Sequence, residues 1–163
     1  MSESVEVKMG GLEIIDDDTN ELKTFVGSCV AICLFDTASK VAGMAHVMLP
    51  RKNNDLNSNK DLGKYADKAF EHLLNNLVEH GADLKRIQAK MAGGATIFAH
   101  ESETNMFNVG PRNVMALKQI LKENNIPLIS EDTGLNFGRW VKFHLDSGKM
   151  IVTSKMMKSE KII

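Results

Sequence analysis

Two side chains of this sequence have the types and spacing for nucleophilic chemistry, the thiol of Cys29 and the imidazole of His46. A thiolate attacks carbonyl carbon well, but a free cysteine is only a few per cent ionised near neutrality. A neighbouring imidazole removes that obstacle by taking the proton as general base and returning it to a departing amine. The chemistry such a pair supports is hydrolysis of an amide through a thioester. Gly27-Ser28 stands immediately before the cysteine. A glycine there allows a tight turn whose backbone N–H groups can face a developing oxyanion. A third group must orient the imidazole.

These residues need elements to hold them. Cys29-Val30-Ala31-Ile32-Cys33-Leu34-Phe35 is an apolar run of strand length, Val41 to Leu49 is a second, and the turn-like Asp36-Thr37-Ala38-Ser39-Lys40 lies between them, which predicts a β-hairpin. Reflection about Ala38 sets Cys29 opposite about residue 47, so His46 falls within one register step of it. Three other readings stand beside this one. Cys29 can be a small core residue, the role assigned to Cys33. His46 can be a hydrogen-bonded core histidine. A zinc site built from Cys29, Cys33 and His46 lacks a fourth ligand at a recognisable spacing. The two cysteines are four positions apart. In one strand they would be roughly 13 Å from each other, too far for a disulfide, so free thiols are expected.

The remaining pattern predicts the frame. Glu3 to Ile15 suggests one or two short edge strands, and Arg51 to Lys60 a polar loop. Apolar residues from Tyr65 to Val78 recur at helical intervals, with Gly81 placed as a stop. Ile87 to Met91 reads as a strand ending at Gly93-Gly94, where close backbone packing is expected rather than a phosphate loop. Val114 to Leu121 marks a second helix, starting after Gly110-Pro111, in which Arg112 and Asn113 either hold a loop or touch substrate. Pro127 to Ile129 is a short strand, with Asp132 and Thr133 as turn formers. Arg139 to Leu145 and Met150 to Val152 form a last hairpin through Asp146-Ser147-Gly148-Lys149, and the Lys155 to Lys161 tail is expected to fray. Of the other histidines, His72 and His80 fall on or just after the first helix, His100 in a polar loop and His144 on a strand facing solvent. Two helices among six to eight short strands give an α/β (α+β) fold, with helices covering the faces of hairpin-rich mixed sheets.

Composition excludes several functions. With 20 basic and 21 acidic residues among 163, the chain carries no field that would draw it to nucleic acid. It lacks the roughly 20-residue apolar run of a membrane span and the apolar core of a signal peptide, so a cytoplasmic protein without membrane insertion is expected. No linker-like tract divides residues 1–163, which predicts a single domain.

Gly27-Ser28-Cys29-Val30-Ala31 and Gly43-Met44-Ala45-His46-Val47-Met48-Leu49-Pro50 resemble the nucleophile and histidine motifs of the chemoreceptor glutamine deamidases, the CheD family. Gly63-Lys64-Tyr65-Ala66-Asp67, Lys90-Met91-Ala92-Gly93-Gly94-Ala95, Asn108-Val109-Gly110-Pro111-Arg112-Asn113 and Glu131-Asp132-Thr133-Gly134 follow in the family's order. The resemblance implies a three-layer sandwich and hydrolysis of glutamine side-chain amides on the cytoplasmic helices of methyl-accepting receptors. It implies Cys29 as nucleophile, His46 as general base, and Thr24 as the third catalytic residue. A CheC-type phosphatase is the implied partner, and neither a cofactor nor a metal is expected. Two features depart from the pattern: the stretch Thr24-Phe25-Val26-Gly27 is one residue shorter than usual, and Leu135 stands where a second glycine is common. The alternative function is a non-catalytic adaptor that binds chemoreceptors or CheC.

Overall fold

Ten strands and two helices are present in the computed structural model, which describes residues 3–17, 19–51, 61–97 and 108–163. Nearly all of the loop expected at Arg51 to Lys60, and His100, lie outside the described residues. The central hairpin is β4 (Val30–Asp36) and β5 (Val41–Val47), both buried along their whole length. Its turn forms because the Asp36 carboxylate accepts the N–H groups of Ala38 and Ser39, while Lys40 adopts a φ of 56°. The short side chain of Asp36 offers the backbone a local partner, which is what stops a strand.

The hairpin lies in a sheet of order β2-β5-β4-β6-β7, with β2 at Leu12–Ile15, β6 at Gln88–Gly93 and β7 at Leu128–Thr133. A second sheet has the order β1-β3-β8-β9-β10, from Ser4–Glu6, Glu21–Val26, Arg139–His144, Lys149–Thr153 and Lys161–Ile162. Both sheets are mixed, with parallel pairs β1·β3 and β6·β7. Alternation along β4 sends Ala31, Cys33 and Phe35 toward the second sheet, and Val30, Ile32 and Leu34 toward the helices. The result is three layers: sheet, sheet and helices.

Helix α1 (Ala66–Glu79) buries Ala66, Ala69, Phe70, Leu73 and Leu77 against the hairpin, and each large side chain contributes about 1.5–3 kcal/mol. It ends in a Schellman motif, with Ala82 N–H donating to the Leu77 carbonyl, Gly81 N–H donating to Val78, and Gly81 at φ 99°. Helix α2 (Val109–Glu123) ends the same way, with Asn125 at φ 58° in place of glycine.

Four expectations are corrected. The strand β3 was not anticipated, because its buried positions Leu22, Thr24 and Val26 include a threonine, while the outward positions include the apolar Phe25 beside Glu21 and Lys23. Asp132 and Thr133 close β7 rather than forming a turn, and buried Asp132 pairs with fully buried Arg139 and with Lys161, each at 3.0 Å. Lys161 does not fray: it enters β10, and Lys90 Nζ donates to the Ile163 carbonyl at 2.8 Å. Helix α2 begins at Val109, so Gly110 and Pro111 lie in its first turn, where a proline loses no intrahelical hydrogen bond.

After β7 the chain turns through Gly134 at φ 84° and Leu135 at φ 59°, which explains why a glycine suits the second position. A left-handed conformation costs a non-glycine residue about 1–2 kcal/mol, of which glycine's greater freedom when unfolded cancels about 0.5–1 kcal/mol. Leu135 is 63% exposed, so little burial would be lost with its side chain. Leu135→Gly is therefore expected to stabilise the fold by about 0.5–1 kcal/mol, read as a higher urea midpoint at unchanged slope.

Candidate active site

Thr24, Cys29 and His46 come from two sheets. Strand β3 ends at Val26 in one sheet and β4 begins at Val30 in the other, so Gly27-Ser28-Cys29 is the crossing between them. His46 faces Ala31 across the hairpin. Cys29 is two residues before Ala31 and packs against the same inter-sheet cluster. The thiol and the imidazole thus share one face as diagonal neighbours, a relation that brings backbones within about 7–8 Å and long side chains into reach. The register is offset by one from simple reflection about Ala38, and this offset is what sets both side chains on the same face.

Thr24 points inward from β3 and meets His46 from the opposite sheet, Oγ1 to Nδ1 at 2.9 Å. The same hydroxyl donates to the Val7 carbonyl at 2.7 Å. A hydroxyl has one proton to give. With that proton committed to Val7, Thr24 can only accept from Nδ1, which fixes the Nδ1–H tautomer and leaves the Nε2 lone pair as the basic site. The shorter stretch before Gly27 does not separate Thr24 from His46.

The backbone of His46 is also held, its N–H donating to the Gly11 carbonyl at 3.0 Å and its carbonyl accepting from Gly10 at 3.2 Å. Gly63 N–H donates to Gly10 at 3.0 Å, and a Cβ on Gly63 would lie 1.9 Å from the Gly11 oxygen. The Gly63 motif therefore admits no side chain where it packs beneath the histidine.

Burial lowers the His46 imidazole below its ordinary value of 6.5 and raises the Cys29 thiol. Desolvation disfavours both charged forms, so the resting pair at neutral pH is a thiol beside a neutral imidazole. Cys33 is fully buried, burial raises its thiol well above the ordinary range, and both cysteines are free. Among the described residues, no group of three or more His, Cys, Asp or Glu could hold a metal ion.

The crossing loop is anchored through its carbonyls. Gly27 accepts from Ala95 N–H at 3.0 Å, Ser28 from Asn113 Nδ2 at 3.3 Å, and Cys29 from Gly94 N–H at 2.9 Å. Gly93-Gly94 thus packs against the Gly27-Ser28-Cys29 loop as close backbone, and a Cβ on Gly93, at φ 117°, would lie 2.3 Å from the Cys29 oxygen. The N–H groups of Ser28 and Cys29 donate to none of the described residues.

The family model described as "CheD chemotactic sensory transduction" matches residues 48–154. A probable chemoreceptor glutamine deamidase CheD of Lachnoclostridium phytofermentans is 37% identical over 99% of this chain and 100% of its own. The chain belongs to the CheD family. The chemoreceptor glutamine deamidase CheD of Thermotoga maritima is 44% identical over 78% of this chain and 76% of its own. A probable one of Archaeoglobus fulgidus is 45% identical over 80% and 82%. The family match begins at Met48, after the three candidate residues, and the first of these relatives aligns across them.

Of the residues in the CheD motif at 108–113, Asn113, expected to hold a loop or to touch substrate, is completely buried and holds a loop, donating to the Ser28 carbonyl and to the Met48 carbonyl at 3.1 Å. Its helical spacing from Leu117 and Leu121 was the available signal. Arg112 is exposed and lines a groove of about 700 Å³ with Leu49, Arg51, Val109 and Gln119. His144 is half-buried and lies 3.4 Å from Glu21. His72 lies in α1 and His80 caps it.

Proposed function

We propose that this protein hydrolyses the side-chain amides of selected chemoreceptor glutamines to glutamate and ammonia, with Cys29 as nucleophile, His46 as general base and Thr24 as the residue that orients His46. Thr24's double hydrogen bond supports this most directly, because it leaves Nε2 basic on the side of the imidazole away from β3. Family membership supports the reaction, since its curated members are named for it.

In the first step Cys29 Sγ bonds to the glutamine amide carbon as its proton passes to His46 Nε2. The carbonyl oxygen takes the negative charge and faces the N–H groups of Ser28 and Cys29. Collapse of the tetrahedral species expels ammonia, which receives its proton from His46, and leaves a thioester. Water, giving a proton to Nε2, attacks the thioester carbon, and Sγ departs and recovers the proton. No cofactor enters this balance. The substrate's place on receptor cytoplasmic helices puts the protein in the cytoplasm, and no helix among the described residues is long and apolar enough to cross a membrane. A CheC-type phosphatase is the proposed second partner, on family resemblance alone.

The deciding experiment is intact-mass analysis of a receptor cytoplasmic fragment after incubation with the protein. The expected result is the mass gained when an amide NH2 becomes OH, localised to glutamines. Stable binding without that gain would favour the adaptor reading instead. Thr24→Val is expected to lower kcat by about 10–100-fold, through loss of the fixed tautomer, with KM little changed. Steady-state kinetics on the same fragment checks this.

A further inference from the structure

We propose that Asn113 is a positioning residue of the oxyanion site, turning the Ser28–Cys29 peptide so that the nucleophile's own N–H faces the reacting carbonyl oxygen. The inference rests on the deamidase reading and adds to it a side chain outside the set Thr24, Cys29 and His46. A trans peptide is planar, so a carbonyl and the N–H that follows it point in opposite directions, and the described chain has no cis peptide bond. The Ser28 carbonyl points toward α2, where Asn113 Nδ2 donates to it at 3.3 Å. The Cys29 N–H must then point away from α2.

The two flanking carbonyls, of Gly27 and Cys29, are held by backbone amides of Ala95 and Gly94. Asn113 is the one side chain among the described residues that orients this loop. Its second bond, to Met48 two positions after His46, ties the nucleophile loop to the end of the histidine strand. Both partners are carbonyl oxygens, so the amide nitrogen must be the atom facing them. Asn113 Oδ1 is buried and accepts from no described residue. A side chain selected for packing alone would not carry that unsatisfied oxygen, whereas an apolar residue of similar shape could not hold the Ser28 carbonyl.

The test compares the wild-type protein with Asn113→Leu, of similar size but without a donor, and Asn113→Ala. Expected for both is a fall in deamidation kcat of about 10–100-fold with KM within about twofold. The pH profile of Cys29 alkylation by iodoacetamide should not change, because that displacement develops no oxyanion. Protection of the fully buried Cys33 from the same reagent reports that each variant is folded. A variant that alkylates like wild type and deamidates at the wild-type rate would overturn the proposal. So would an alkylation profile that shifts in step with deamidation, since Asn113 would then serve the thiol–imidazole pair. A second measurement needs no variant. In wild-type protein, hemithioacetal formation with a peptide bearing the aldehyde of glutamate should move the Cys29 amide proton downfield, and an unmoved resonance would refute the assignment. Wild-type protein inert toward the receptor fragment refutes the deamidase reading itself, whereas variants that match an active wild type refute only the role of Asn113.

Discussion

Cys29→Ala is expected to reduce glutamine deamidation by about four or more orders of magnitude while leaving the fold intact. The size of the loss follows from the mechanism: without Sγ there is no thioester, and a methyl group cannot hold a water in its place. The fold should survive because Cys29 is only partly buried, has no disulfide, and lies in the crossing rather than in β4. Its loop is fixed through main-chain carbonyls, which alanine retains. Intact-mass assay of a receptor fragment measures the first part, and a thermal melt within a few degrees of wild type measures the second. Substantial deamidation by the folded variant would remove Cys29 from the reaction.

His46→Ala is the second large effect, an expected loss of about 100–10,000-fold in kcat/KM, the range that a positioned general base contributes. Some stability should go with it, since the exchange removes the Nδ1 donor from Thr24 Oγ1, which keeps only its bond to Val7, and opens space between the sheets. The wild-type pH profile tests the same residue without substitution. Burial favours the neutral imidazole and lowers its pKa from 6.5. At any given pH, a lowered pKa means that more of the enzyme holds the basic form. The acid limb of kcat/KM, which reports the free enzyme, should therefore fall below pH 6.5 and be absent from the His46→Ala residual rate. A limb at or above 6.5 would show a histidine stabilised in its charged form, contrary to the burial that favours the neutral one.

Much of the frame could be read from residue patterns alone. The hairpin was legible because two buried strands leave continuous apolar runs, and Asp36 to Lys40 between them has the composition of a turn. Helix α1 was legible because one apolar face recurs up to Gly81. What escaped were polar residues that the fold buries. Thr24 is polar yet buried while Phe25 beside it is apolar yet exposed, so β3 left too little alternation to recognise, although the residue itself was named through family resemblance. Asn113 followed a Gly-Pro pair that reads as a helix start, and its burial depends on α2 packing against a loop 85 residues earlier in the chain. Asp132 reads as a turn former and Arg139 as the start of a strand, and their pairing escaped because it joins strands of different sheets. The hairpin register was one step from the observed one, and in a strand one step decides which face a side chain occupies.

The anchoring of the Gly27-Ser28-Cys29 carbonyls also bears on how the protein is made. Synthesis delivers Thr24, Cys29 and His46 within the first 46 residues, but the donors that shape the nucleophile loop are Gly94, Ala95 and Asn113. On the proposed mechanism every reacting group leaves the ribosome well before the groups that aim the amides, so a nascent chain would carry the Cys29 thiol without an assembled oxyanion site. Reactivity toward glutamine should appear only after α2 has left the exit tunnel and docked, and the incomplete chain cannot turn its nucleophile on neighbouring side chains during translation.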